Sequence, residues 1–326
     1  MFKRLKQLAL VAGVLLGTAM PCAHAQQDYP NRPVKIIVGY VAGGGPDFTA
    51  RTFGQKISEI LGQPVVIENR PGAGATTATA QVARAPADGY TLLLGETGQL
   101  FVAPFVHKNL AYDTVRDFTP ISLLSAGPLI VVSNSKLPIK SVSDLLREAK
   151  ANPGKLDVGT SGVGTIHHIA LAVLMADAGI DMTHVPYKGS GQSVASALAG
   201  DVPLLITSMT AAGAHVAAGK LNVLAVTSGK RLPSYAEIPS LSETLKDFDY
   251  SSEMGLLAPA GLPPLVQQKL FRAVRQAMES TEVQEAFKKT STMLVGLSPE
   301  EYAQNIGRNL KKYERAVRLA KIPVAE

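Results

Sequence analysis

Val34-Lys35-Ile36-Ile37-Val38-Gly39-Tyr40 is a β-branched apolar run, and Val41-Ala42-Gly43-Gly44-Gly45 turns it straight into Pro46-Asp47-Phe48-Thr49. Proline at the first helical position and an acid in the first turn both mark a helix start. The same order recurs twice. Val158-Gly159 leads through Thr160-Ser161-Gly162-Val163-Gly164-Thr165 into a helical pattern, and Val185-Pro186-Tyr187-Lys188 leads through Gly189-Ser190-Gly191 into another. Strand, glycine-rich turn and helix, repeated, is the grammar of an α/β sheet.

Outward from these turns the alternation continues. Strands are expected at 34–40, 64–68, 91–94, 121–124, 129–133, 156–159, 202–207 and 221–227. Helices are expected at 48–61, 76–84, 141–151, 166–178 and 192–198, with a helical C-terminal part at 264–280, 283–289 and 299–320. No Gly/Ser linker separates the halves, so two lobes would be joined by crossing strands at 129–133 and 250–257. That division gives residues 26–128 plus 254–326 to a first lobe and 129–253 to a second. The C-terminal helices return to the first.

The 326 residues are 46% hydrophobic and 18% charged, which supports a packed core and excludes a disordered or coiled-coil chain. One cysteine excludes a disulfide scaffold or a cysteine-based zinc site. Lys3, Arg4 and Lys6 precede the apolar run 8–16, and Ala23-His24-Ala25 follows, the pattern of an export signal cleaved before Gln26. The run is too short to span a bilayer of about 30 Å. Pro21 before Cys22 makes a poor lipidation site. Without residues 1–25 the chain keeps 29 basic residues against 26 acidic, so the formal +6 falls to +3 and nucleic acid drops out as a partner. The mature protein is then cysteine-free and periplasmic.

Each of the three turns presents unpaired backbone N–H groups at the positive end of a helix, a ready anion site. In open α/β sheets ligands lie at the carboxyl ends of strands, where these turns sit. Any one of them could be a plain βα connection; three, split between two lobes, favour a cleft for a carboxylate or similar anion. Catalytic patterns do not appear. The glycine spacing is not a dinucleotide fingerprint, and neither Ser161 nor Ser193 sits in Gly-x-Ser-x-Gly. His167 and His168 are helix neighbours that point apart, so no metal or cofactor is implied.

Several motifs stand in one order along the chain: Gly43-Gly44-Gly45-x-Asp47 with Ala50-Arg51, Glu68-Asn69-Arg70-Pro71-Gly72-Ala73-Gly74, Asp88-Gly89-Tyr90-Thr91-Leu92, Asp117-Phe118-Thr119-Pro120, Val185-Pro186-Tyr187-Lys188-Gly189 and Ala218-Gly219-Lys220-Leu221. In this order they resemble the Bug family, the periplasmic solute receptors of tripartite tricarboxylate transporters. The resemblance runs from Tyr29-Pro30 to Ala258-Pro259-Ala260-Gly261. It implies an α/β, two-lobed periplasmic-binding-protein (flytrap) fold with crossing hinge strands. The ligand it implies is a small dicarboxylate, amino acid or aromatic acid gripped through backbone amides and waters. Carried onto this chain, the site comprises Tyr40, Ala42, Gly44, Gly45, Pro46, Asp47, Phe48 and Thr49 in the first loop, with Glu96 and Thr97. Ser161, Gly164, Thr165, His168, Lys188, Ser190, Thr207 and Glu253 complete it.

Three departures bear on the ligand: Glu96 where the family often has Ser or Thr, Glu253-Met254 where aromatic residues are common, and Thr207-Ser208 where an acid often stands. If Glu96 or Glu253 faces the cleft, a ligand with an amine, amide or ring nitrogen is favoured; the alternative leaves both solvated at the rim. The working partners are a small carboxylate and membrane permease subunits, and the chain is expected to be a monomer. A periplasmic sensor feeding a signalling kinase and, more remotely, a hydrolase are the other function classes. Intact-mass measurement of the exported protein should give a chain beginning at Gln26; a mass retaining residues 1–25 would refute the export reading.

Overall fold

A computed structural model describes residues 29–232, 235–290 and 292–322; the export signal and its cleavage point lie outside them. The elements run β1 (Val34–Val38), α1 (Gly45–Leu61), β2 (Val65–Asn69), α2 (Thr76–Ala83) and β3 (Thr91–Glu96). A helical turn, Gly98–Val102, runs into α3 (Ala103–Val106), and the long β4 (Phe118–Asn134) follows. Then come α4 (Val142–Ala151), β5 (Asp157–Thr160), α5 (Ile166–Ala178), β6 (Thr183–Pro186), α6 (Ser190–Ala199), β7 (Leu204–Ser208), α7 (Met209–Ala217) and β8 (Leu221–Val226). The chain closes with β9 (Ser251–Pro259), α8 (Pro264–Glu279), α9 (Thr281–Lys289), β10 (Met293–Leu294) and α10 (Pro299–Ala320).

The strands form one path, β2-β1-β3-β9-β4-β7-β5-β6, with β8 and β10 also paired to β4. β1 lies parallel to β2 and β3, and β9 runs antiparallel between β3 and β4. On the other side β4 pairs antiparallel with β7 and β8, and β5 is parallel to β6 and β7. The two strands expected at 121–124 and 129–133 are thus one 17-residue strand. The strand runs on through Gly127-Pro128 because its partners change there: β9 holds residues up to Pro128, β7 takes over from Leu129 and β8 from Ile130. Two half-sheets share this strand.

Strand alternation sends Ile36, Val38, Leu92 and Leu94 to a core with Phe53, Val274 and Phe287, and Ile37 and Leu93 to the opposite face. That opposite core is continuous across both half-sheets, joining Ile37 and Leu93 to Ile169, Leu171 and Tyr313. A third cluster, with Ile130, Val132, Leu205 and Met209, fills the far face of the second half-sheet. Helix α10 touches both halves. Tyr302 packs on Gly255 of β9, while Arg315 reaches Asp177 at the end of α5 (3.5 Å). Ser298 and Glu301 form a reciprocal capping box that starts it.

A methyl group on Gly255 would overlap the buried Tyr302 ring. Gly255→Ala should cost about 1–3 kcal/mol of unfolding free energy through overpacking. An unchanged urea midpoint would show that α10 yields freely.

Candidate functional site

Register fixes where the βα turns face. β4 runs in the direction of β1 and β3, so their carboxyl ends and the segment 126–129 lie at the same edge of the first half-sheet. β7 is antiparallel to β4 and ends at Ser208 opposite Leu129, and β5 and β6 run with β7. The turns after β1, β3, β5, β6 and β7 therefore open on one gap from opposite sides. This brings Tyr40 to Gly45, Glu96 and Thr97 toward the loops that carry Ser161, Gly164, Thr165, Lys188 and Ser190.

In the first loop Asp47 is buried and folds back to accept from Gly43 N (2.9 Å) and from Arg51 Nε (3.0 Å). Burial raises its pKa, but Arg51, the Gly43 amide and Asn69 outweigh it and hold the carboxyl below its ordinary value. Gly43 takes φ +85°, which this tight return requires. Gly44 caps α1, and Ala42 is exposed beside Val41 at the loop tip. Two expected ligand residues turn elsewhere. Phe48 packs on Phe287 (5.4 Å between centroids), and buried Thr49 donates to Met254 Sδ (3.2 Å).

Glu96 is neither at the rim nor solvated: 7% exposed, it accepts from Tyr40 Oη (2.8 Å), Gly98 N (2.8 Å) and Ser252 Oγ (2.8 Å). These donors lower its pKa, but burial dominates and raises it. Thr97 Oγ1 accepts from Glu253 N (2.8 Å) and donates to Ser251 O (3.3 Å), tying the same corner to the start of β9. Glu253 itself does not face the gap. Its carboxylate accepts from Asn309 Nδ2 of α10 (2.8 Å), and burial raises its pKa. Strand parity turns the neighbouring Met254 toward Gly45 and Thr49 instead.

The loop after β5 is held by three imidazoles. Ser161 Oγ lies 2.7 Å from His167 Nδ1, Gly164 N donates to His168 Nδ1 (3.2 Å), and Thr160 Oγ1 lies 2.6 Å from His184 Nε2. The His168 and His184 rings stack at 4.0 Å. Burial lowers the pKa of His167 and of His168 to about 4, the latter helped by His184, and lowers that of His184. His168 thus supports the loop from beneath. Thr165 caps α5 by accepting from His168 N. Lys188 is exposed, Ser190 opens α6, and Thr207 Oγ1 is buried with no partner among the described residues.

Sequence reasoning missed His167, His184, Ser252 and Met254. Only the pairing register makes His184 a diagonal neighbour of Thr160 across β5 and β6. It also saw no serine within reach of a base, whereas Ser161 and His167 are in contact. His167 Nε2 has no orienting partner among the described residues, and its low pKa makes it a weak base at neutral pH. No group of three His, Cys, Asp or Glu suited to a metal occurs among the described residues, and no helix there is long and apolar enough to cross a membrane. A cavity of about 520 Å³ between α2 and residues 107–111, lined by Arg84 and His107 among others, shares no residue with these loops.

Folded imidazoles near pKa 4, against 6.5 unfolded, let the unfolded chain bind protons first as pH falls. Their contribution is full above pH 6.5 and is lost between 6.5 and 4, at most roughly 3 kcal/mol each. Glu96 and Glu253, with raised pKa values, act in the opposite sense and favour the fold at lower pH. Urea unfolding from pH 7 to 4.5 should therefore lose more stability in the wild type than in a His167→Asn/His168→Asn chain; equal slopes would refute neutral, buried imidazoles.

Residues 49–321 match the family described as "Tripartite tricarboxylate transporter family receptor". BugT of Bordetella pertussis is 32% identical over 315 residues, covering 96% of this chain and 97% of BugT. Among solved structures, the periplasmic binding protein BugD aligns with TM-score 0.80 at 30% identity, over 90% of this chain and 99% of BugD. Rpa4515 of R. palustris, solved with adipate, aligns with TM-score 0.83 at 30% identity, over 90% of this chain and 99% of that one. With its two half-sheets joined through a shared strand, the chain is a two-lobed α/β binding protein and belongs to the tripartite tricarboxylate transporter receptor family, the Bug proteins.

Proposed function

We propose that the chain captures a small organic carboxylate in the gap between its two lobes and delivers it to membrane permease subunits. The observation that carries this is the convergence on one gap of βα turns from both half-sheets, each opening a helix. Adipate in the related Rpa4515 supports the ligand class. In this reading the lobes are residues 26–128 with 254–326, and 129–253, and ligand contacts to both favour a closed state. Export with cleavage after Ala25, a monomeric state and the absence of catalysis belong to the same reading.

The two sides of the gap differ in charge. Helix α1 already has Asp47 bound at its N-terminal turn, and Glu96 lies buried at the end of neighbouring β3. Helices α5, α6 and α7 carry no acid in their first turns, and the imidazoles under the α5 loop are neutral. A helix N-terminus is worth roughly half a positive charge, so an anion is better held where no carboxylate already answers it. The ligand carboxylate is therefore anchored by the second lobe, with exposed Lys188 at the rim. The first lobe contacts the ligand body through Tyr40, the Gly43-Gly44-Gly45 turn and Met254.

Refolded mature protein, freed of co-purified ligand, should show a saturable rise in Tm with dicarboxylates of four to six carbons. The stabilisation is about 2.7 kcal/mol at a hundredfold excess over Kd. Ser161→Ala should weaken binding by about tenfold, while a substitution at Glu253 should leave ligand preference unaltered. Silence across dicarboxylates, amino acids and aromatic acids would refute the carboxylate reading.

A further inference from the structure

Ser161 and His167 make a contact that the family resemblance does not assign. Ser161 closes β5 into the loop before α5, His167 stands at the second position of that helix, and the ring folds back so that Nδ1 lies 2.7 Å from Ser161 Oγ. No other hydrogen bond engages the Ser161 hydroxyl among the described residues. His167 Nε2 is buried and finds no partner there either.

A neutral imidazole carries one proton, and the two placements are not equivalent here. On Nε2 it would be a buried donor with no acceptor among the described residues, left to bear its full desolvation cost. On Nδ1 it meets the serine oxygen, leaving only an unpaired acceptor. The choice of tautomer then fixes the serine. Its oxygen accepts from the ring, and its own proton points away from the imidazole, free to serve another acceptor.

We propose that His167 is a positioning residue: its Nδ1–H donates to Ser161 Oγ and so presents the Ser161 hydroxyl proton to a ligand carboxylate at the α5 N-terminus. The inference rests on the carboxylate reading of the gap. It also accounts for a serine–histidine contact that resembles a nucleophile and base. The proton direction is the reverse of what a nucleophile needs, because the ring gives a hydrogen bond to the oxygen instead of taking one from it.

The test begins without ligand. Nitrogen-15 NMR of histidine-labelled protein at pH 7, with the His167 signals assigned by their loss in His167→Asn, should show Nδ1 protonated and Nε2 bare. An Nε2–H tautomer or an imidazolium overturns the proposal whatever acid the protein takes. Titrations with adipate and succinate supply the second arm. The asparagine amide can replace Nδ1–H as donor, so His167→Asn should keep affinity within about threefold. His167→Leu and Ser161→Ala should each lose about tenfold, and the Ser161→Ala/His167→Leu double variant no more than either. Equal losses in the asparagine and leucine variants would reduce His167 to packing and overturn the role. If the wild type binds neither acid, the carboxylate reading fails, while the tautomer still decides which way the hydroxyl points.

Discussion

The structure depends on one strand serving two sheets. β4 is 17 residues long, about 55 Å at the usual rise per residue, and it changes partners at Gly127-Pro128-Leu129. Proline has no N–H for the ladder, which makes this the point where two pairings can meet with least loss. Thr227 reinforces the junction from the side. Its hydroxyl is bonded to Leu129 and to Tyr250 O, so the end of β8, the middle of β4 and the approach to β9 are held together. Relative motion of the lobes would bend the chain here, where the strand exchanges one set of partners for the other. Helix α10 limits that bend, since it packs on β9 with Tyr302 and reaches α5 with Arg315. A shared buried core under α10 favours a hinge about that helix over free separation.

With the strands fixed, the electrostatics of the gap follow. The loops that meet there contain carboxylates on one side and neutral imidazoles on the other. Asp47 is held ionised by Arg51 and the Gly43 amide, so it organises the first loop and also occupies the amide that an anion would seek. Glu96 has three neutral donors and no cation within ion-pairing distance among the described residues, so burial prevails and its pKa rises. The imidazoles form the other side of this asymmetry. Burial keeps them uncharged, and uncharged rings can accept from Gly164 and pair with Ser161 and Thr160 without repelling one another in the His168–His184 stack.

Much of this was legible in the residues themselves. Glycine-rich turns followed by proline, serine or threonine caps mark α1, α5 and α6 because capping and left-handed turns are local requirements. What was not legible depends on long-range register. The single strand reads as two, 121–124 and 129–133, because nothing nearby in sequence shows that β7 and β8 resume the pairing. The helical segment Gly98–Val102 with α3 escaped because it is buried nearly all round and carries no polar face. Glu253 was placed on the wrong face by one residue of parity, which only its pairing opposite Ala126 and the contact of Met254 with Thr49 resolve. The roles of His167 and His184 escaped because their partners are set by a helix turn and by a cross-strand diagonal.

This division of labour bears on how such a fold can change ligands. If the carboxylate end is held by backbone amides and a serine whose orientation is set from below, that end is generic, and any small acid satisfies it. Discrimination must then come from the rest of the ligand, which meets the first lobe: Tyr40, anchored by Glu96, the glycine turn, and the Met254 thioether beside Gly45. Met254 adapts its shape at little cost, whereas the Tyr40–Glu96–Ser252 chain is rigid and linked to β9. A change at Tyr40 or Glu96 would therefore alter both what the cleft accepts and how the lobe is seated on its hinge strand. A change at Met254 would alter acceptance and the Thr49 contact but leave the Tyr40–Glu96–Ser252 chain in place. Ligand preference is most easily retuned at the position whose side chain lies outside the Tyr40–Glu96–Ser252 chain and can change shape, the flexible Met254 thioether.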